Sequence, residues 1–507
     1  RLLRCSPTGH PQATPHRAPV DPQSQPRPLR IHHPIHPRAL LLVGLLSSQL
    51  LVGCGGDETA TARPGSGPTP EGSPDEGSSG GQAKAFARPN VLILLADDLR
   101  YDGLTSTGNE WIQTPALDRI GQEGVLFERS YATTSRCCPS RASFLTGRYA
   151  NVHGVLTNKP KVDFQESFPT YADELQAVGY RTGYVGKWHI KAREQESKPR
   201  PGFDRWVSYE GPGSHFDQVF DVDGETVPSE GFQADVLGDY AIEFLENQPE
   251  DRPFLLTVGF KSPHVPMTPA ERHAGLLDGA AIALPASAYD PVDSLPFFYQ
   301  RIRRNTDGNH AIDSAAQYVE DTRRYWELVL SVDDNASRIL AWLETKGELD
   351  NTVFVVLADN GASHEPSIRI PFSLRYPPLT GDGGRTQSIA LNVDLFPTLM
   401  DICSIPDPPP SEGMSLVPVL RKPEQIQRST FLYVGPQWNH GAMDERAVVD
   451  GHLKLIRFVA EDGAQDVLFD MVKDPDERTD IIEDPAYAKD VRRMRAFLES
   501  ESKRVGL

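Results

Sequence analysis

The sequence predicts an α/β sandwich built on a mainly parallel sheet. Two observations carry that reading. Four short, unbroken apolar runs have the pattern of strands buried on both faces, and helical patterns stand between them. A third observation turns the fold toward chemistry. Each run ends in polar residues, at the carboxyl end of its strand, where open α/β sheets hold their ligands.

The elements follow in chain order. Val91–Leu95 runs into Asp97-Asp98. Cys137-Cys138-Pro139-Ser140-Arg141 opens a helix, since the fixed φ of Pro139 suits a first turn and its missing N–H would be unpaired there anyway. Ala142 to Leu145 continue that helix and Gly147 ends it, leaving Cys137 at the positive dipole end where anions bind. Arg141, one turn on, has a fork suited to a tetrahedral oxyanion. Tyr171–Val178 reads as a helix closed by Gly179. Thr182–Val185 then runs into Gly186-Lys187-Trp188-His189, and Phe254–Phe260 into Lys261-Ser262-Pro263-His264. A long helix is predicted from about Ala315 to Lys346, stopped by Gly347, and Thr352–Leu357 leads to Asp359-Asn360-Gly361.

The chain of 507 residues has room for one large domain with an appendage. Its net charge of −19 does not suit nucleic acid or a long polyanion, so an anionic substrate needs a locally basic pocket. The five cysteines (5, 54, 137, 138 and 403) make no disulfide framework. Residues 1–37, rich in Pro, His and Arg, read as disordered or as upstream sequence translated in error. Residues 38–54 contain an apolar stretch too short to span a membrane. It ends in Leu51-Val52-Gly53-Cys54, which resembles the bacterial lipobox, in which the Cys is acylated. That implies an exported protein attached through Cys54 to a membrane by lipid alone, or otherwise secreted. Residues 55–87 read as a flexible tether.

Asp97, Asp98, Asp359 and Asn360 form a hard-oxygen set suited to Ca²⁺ or Mg²⁺. Arg141, Lys187, His189, Lys261 and His264 add cationic and proton-donating groups. Together they fit a tetrahedral anionic ester, sulfate or phosphate, whose leaving alkoxide must be protonated.

These motifs, with Leu145-Thr146-Gly147-Arg148 after the Cys-x-Pro-Ser-Arg, resemble those of the formylglycine-dependent (type I) sulfatases of the alkaline-phosphatase-like superfamily. The likeness runs from about Arg88 to the end, where Leu468-Phe469-Asp470 and Asp474-Pro475-Asp476-Glu477-Arg478 are similar to the family's C-terminal segment. The tandem Cys-Cys, Ser331-Val332-Asp333-Asp334 and Gly347-Glu348-Leu349-Asp350-Asn351-Thr352 resemble N-acetylglucosamine-6-sulfatases. The resemblance implies a catalytic domain over 88–425 and a smaller C-terminal α+β subdomain over 426–507. It implies that a maturation enzyme oxidises Cys137 to formylglycine, whose hydrate is the nucleophile, with Cys138 unmodified. It implies one Ca²⁺, with Mg²⁺ the lesser choice, held by Asp97, Asp98, Asp359, Asn360 and residue 137. Arg141 and Lys187 would steady hydrate and sulfate, His189 would draw a proton from the hydrate, and His264 would protonate the leaving alcohol of a sulfated sugar.

One departure stands out. The family's loop after Asp-Asn-Gly carries a second sulfate-contacting lysine, whereas here Gly361 leads through Ala362-Ser363-His364-Glu365-Pro366 straight into Ser367-Ile368-Arg369. His364, Arg369 and Lys261 are the possible stand-ins. The departure keeps open an impaired carbohydrate-binding protein, and the shared nucleophile keeps open a phosphodiester or phosphonate-ester hydrolase. Substrate selection is expected in the loops Gly202–Pro228 and Ala270–Gly308.

Overall fold

The computed structural model describes residues 88–160, 162–190, 200–283, 314–361, 368–435, 444–460 and 463–507. The leader, signal and tether segments (1–37, 38–54, 55–87), Cys54 and His364 lie outside the described residues.

Sixteen strands lie among the described residues. The first eight are β1 (Asn90–Asp97), β2 (Val125–Phe127), β3 (Ser130–Tyr131), β4 (Arg181–Gly186), β5 (Arg205–Ser208), β6 (Val219–Val222), β7 (Glu225–Pro228) and β8 (Phe254–Pro263). The rest are β9 (Thr352–Ala358), β10 (Phe372–Arg375), β11 (Gly384–Thr386), β12 (Ala390–Leu391), β13 (Thr430–Val434), β14 (Asp444–Asp450), β15 (Leu453–Ala460) and β16 (Gly463–Asp470).

Ten strands join in one sheet in the order β11-β2-β10-β9-β1-β8-β4-β5-β6-β7. Its centre, β9-β1-β8-β4-β5, is wholly parallel. These are the four predicted strands plus β5, and every residue of β1, β8 and β9 is buried. An unbroken apolar run is the sequence expression of a strand with no solvent face. The antiparallel additions, β10 on one side and β6-β7 on the other, lie outside that centre.

Helices cover both faces. Successive strand residues point to opposite sides, and Gly183 pairs with Leu256 while Tyr184 pairs with Thr257. A Cβ on Gly183 would meet the Phe244 ring of helix Gln233–Glu246. On the other face, Tyr171 of helix Tyr171–Ala177 bonds Thr257 Oγ1 at 3.1 Å. Helix Gln233–Glu246 packs against the long helix Ala315–Lys346, which starts at Ser314, whose side chain accepts from Gln317 N. It stops at Gly347, where φ is 69°. A glycine tolerates that left-handed residue without a Cβ clash.

β13–β16 form a separate antiparallel sheet carrying helix Ala488–Arg504. Phe431, Val448, Leu455, Leu468, Met494 and Leu498 fill the core between them. β3 and β12 make a two-stranded parallel pair.

Candidate active site

The predicted site residues come from five separate stretches, and the parallel sheet delivers them to one end. Asp97 closes β1, Lys187 follows β4, His264 follows β8, and Asp359-Asn360 follow β9. Cys137 begins helix Cys137–Thr146, whose Gly147 terminus has φ 69°. Asp98 and His189 both sit at φ 62°. A non-glycine residue in the left-handed region is held there by its surroundings and turns its side chain off the strand direction.

The acidic residues interlock. Asp359 Oδ1 accepts from the backbone N–H of Asp98 at 3.1 Å and of Asn360 at 2.9 Å, while Oδ2 accepts from Arg141 Nε at 2.7 Å. Lys187 Nζ donates to Asp97 Oδ2, and Arg141 Nη2 lies 3.5 Å from Asp97 Oδ1. Asn360 Nδ2 donates to Asp98 Oδ1. Ligand-type atoms of Asp97, Asp98 and Cys137 all lie within 4.8 Å of one another. Among the described residues, Asp97 Oδ1 and Asn360 Oδ1 are buried and accept no hydrogen bond. Buried acceptors without partners are costly, and two orphaned hard oxygens beside two further carboxylates are the donor set a Ca²⁺- or Mg²⁺-sized ion takes.

Electrostatics in the cluster are tightly opposed. Burial disfavours the Asp97 carboxylate, yet Lys187, His264 and Arg141 together hold it well below the usual range. Burial and the neighbouring Asp97 charge push Asp98 up to about 7. Asp359 is likewise raised to about 7, by burial against the pull of Arg141. Burial lifts the Cys137 thiol well above its ordinary value, and Cys138 to about 12. His189 is held well below its ordinary value by burial and by Lys187, and its Nδ1 is buried without a hydrogen-bond partner among the described residues.

His264 has a defined tautomer. Its Nδ1–H donates to Val265 O at 2.7 Å, a carbonyl that also accepts from Lys261 Nζ at 2.8 Å. Nε2 is therefore the nitrogen turned to the acidic cluster, 3.6 Å from Asp98 Oδ2. Lys261, one of the three suggested stand-in cations, lies beside His264 and is lowered to about 8 by burial. Arg369 is committed elsewhere, stacked over the Tyr101 ring at 3.8 Å and donating to Glu128 O.

Several supporting residues had no separate signal in the sequence. Tyr325, which fits the apolar stripe of its helix, donates from its OH to Asp98 O at 2.7 Å and accepts from Arg100 N at 2.9 Å. Tyr184 OH donates to Lys187 O at 2.5 Å. Asn392 Nδ2 donates to Ser140 Oγ at 2.8 Å, and Asn158 Oδ1 accepts from Cys138 N at 3.1 Å. Tyr325, Tyr184 and Asn158 each fix a backbone atom at or beside a site residue, Tyr325 from 227 residues away and Tyr184 from only three, while Asn392 holds the Ser140 side chain. Asp333 and Asp334, by contrast, are architecture: Asp333 Oδ1 accepts from Leu117 N at 2.8 Å, and Asp334 pairs with Arg272.

A cysteine at a helix start, an acidic cluster threaded by buried cations, and histidines at parallel strand ends define an ester hydrolase of the alkaline-phosphatase-like class. Comparison with known proteins narrows that class. The family described as Sulfatase matches residues 89–405, and the C-terminal family of N-sulphoglucosamine sulphohydrolase matches residues 357–504. This chain belongs to the sulfatase family and is a sulfuric ester hydrolase.

Among its relatives is the N-acetylglucosamine-6-O-sulfatase of Bacteroides thetaiotaomicron, 28% identical, covering 83% of this chain and 88% of the relative. The arylsulfatase of Clostridium perfringens is 25% identical, with 82% and 94% covered. A solved structure in complex with its substrate D-glucosamine-2-N,6-O-disulfate superposes with a TM-score of 0.73 at 28% identity, covering 83% of this chain and 98% of the other. The phosphonate monoester hydrolase of Agrobacterium radiobacter, at 22% identity and TM-score 0.68 over 82% and 96%, shares the fold.

Proposed function

We propose that this protein removes sulfate from a sulfated amino sugar, with residue 137 as formylglycine and one Ca²⁺ in the site. The observation that carries the reading is the convergence of Asp97, Asp98 and Cys137 within 4.8 Å, beside Lys187 and His264. The names of the relatives, which include N-acetylglucosamine-6-O-sulfatase, support an amino-sugar substrate. Asp97, Asp98, Asp359, Asn360 and residue 137 would hold the ion, which supplies charge neutralisation at the sulfate oxygens. Formylglycine, produced by a maturation enzyme, supplies a hydrated aldehyde as nucleophile.

The chain's own groups do the remaining work. Lys187 and Arg141 balance the carboxylates, so a dense acidic cluster accepts an anionic ester. His264 offers Nε2 to the departing alkoxide, and His189 takes a proton from the nucleophile side so that sulfate can leave. Lys261 adds a cation beside His264, in the role the shortened loop lacks. In this reading residues 88–425 form the catalytic domain and 426–507 its C-terminal subdomain. Export and lipid attachment at Cys54 complete it; among the described residues no helix is long and apolar enough to cross a membrane.

The test is sulfate release from N-acetylglucosamine 6-sulfate and a panel of related sulfated sugars. The protein used has its residue-137 peptide weighed by mass spectrometry. The expected result is turnover by aldehyde-bearing protein and none by Cys137→Ala. Full activity with unmodified Cys137, or binding without turnover when the aldehyde is present, overturns the reading.

A further inference from the structure

The loop between β5 and β6 sends one buried imidazole toward the site. His215 is 3% exposed, and its Nε2 lies 2.8 Å from the carbonyl oxygen of His264. A carbonyl only accepts, so Nε2 carries the proton. The other nitrogen, Nδ1, is buried with no hydrogen-bond partner among the described residues. A buried N–H without an acceptor costs more than a bare lone pair gains, so Nδ1 is the unprotonated nitrogen and the ring is neutral. Burial, and then Lys261, hold its pKa at about 4 in keeping with this.

The imidazole is itself braced. It lies parallel to the Phe232 ring, with centroids 6.0 Å apart and planes 6° from one another. Its own carbonyl accepts from Gln233 N at 2.7 Å. Helix Gln233–Glu246 thus backs His215, and His215 backs His264.

The His264 segment has two kinds of anchor. Lys261 and the His264 Nδ1–H act locally, both on Val265 O. Among the described residues, His215 is the side chain that ties the His264 carbonyl to a different element of the fold, the loop beyond β5. We propose that His215 is a positioning residue that aims Nε2 of His264 at the departing oxygen, and that the β5–β6 loop acts on the reaction through this bond. The inference rests on the reading of His264 as the proton donor. The nucleophile oxygen on residue 137 bonds to sulfur as the bond from sulfur to the sugar oxygen breaks. The broken bond's electron pair stays with the sugar oxygen, which takes the Nε2 proton of a doubly protonated His264 and leaves the ring neutral with its proton on Nδ1.

A leaving group that needs no proton separates positioning from general damage. kcat is measured on N-acetylglucosamine 6-sulfate and on 4-nitrophenyl sulfate, whose phenolate leaves unprotonated. Wild type, His215→Phe, His215→Gln and His264→Ala are compared at equal aldehyde content. Phenylalanine keeps the stack on Phe232 and removes the N–H, whereas glutamine restores an N–H donor. In His215→Phe the sugar-sulfate rate falls by roughly tenfold or more and the aryl rate stays within about twofold; His215→Gln recovers most of the loss. Equal losses on both substrates in His215→Phe, or no loss, overturn the positioning role. If His264→Ala loses both substrates equally, the proton-donor assignment fails and takes this inference with it. Selective loss in His264→Ala alongside an unaffected His215→Phe refutes the anchor only.

Discussion

Arg141 Nε donates to Asp359 Oδ2 at 2.7 Å, with both side chains withdrawn from solvent. The pair joins the helix that starts at Cys137 to the end of β9. It makes Arg141 a structural partner of the acidic cluster as well as a cation in the pocket. Arg141→Met leaves the Asp359 oxygen facing no donor, and breaking a buried pair from one side costs about 3–5 kcal/mol. Urea unfolding should show a loss of that order. A variant as stable as wild type would mean that the pair carries no stability.

Calcium should stabilise the fold. The orphaned oxygens of Asp97 and Asn360 gain a partner when the ion binds. At about a hundred times its Kd a ligand adds about 2.7 kcal/mol. Tm is expected to rise with Ca²⁺ over EGTA in the wild type, and to rise much less in Asn360→Leu. Identical melting curves with and without calcium would count against an ion at this cluster.

His153 sets a limit in acid. Burial lowers its pKa to about 3, and Val155 N donates to Nδ1 while Ser143 Oγ meets Nε2, each at 3.1 Å. The folded pKa lies below the unfolded one, so the contribution is fully present above about 6.5 and drains away as pH falls toward 3. Over that window the group costs up to about 1.4 kcal/mol per pH unit. In His153→Gln the urea midpoint should be lower at neutral pH but should fall less steeply on acidification. Parallel pH profiles for the two proteins would contradict this.

Gly186 holds the turn that presents Lys187. Its φ is +116°, and a Cβ there would stand 2.0 Å from the carbonyl oxygen of Gly259 on the neighbouring strand. Gly186→Ala must therefore separate β4 from β8 beside the site, and a loss above about 4 kcal/mol or a failure to fold is expected. Gly108, at φ +109° with no atom of the described residues within 4 Å of an added Cβ, is the control. Gly108→Ala meets backbone strain alone, about 1–2 kcal/mol. Equal Tm changes for the two variants would show that the strand contact is unimportant.

Much of this arrangement could be read from the linear chain. The runs at Val91, Thr182, Phe254 and Thr352 announced strands buried on both faces, because burial on both sides leaves no polar alternation. Their polar ends announced a common crevice, because parallel strands finish at one edge. Pro139 and Gly147 bounded the Cys137 helix through backbone sterics alone. The antiparallel β6-β7 edge carried no comparable signal: β7 is largely exposed, so its composition answers to solvent.

The chemistry of the site residues was thus written locally, in residue type and in position relative to strand ends. Their partners were not. That Lys187 meets Asp97, that Tyr325 fastens the carbonyl of Asp98, and that His215 reaches His264 depends on chain segments tens to hundreds of residues apart. Only packing brings such segments together, and a tyrosine or histidine destined for a buried carbonyl looks in the sequence like any other core aromatic or loop residue. Periodicity records which face of an element is buried; it holds no record of what that face will touch.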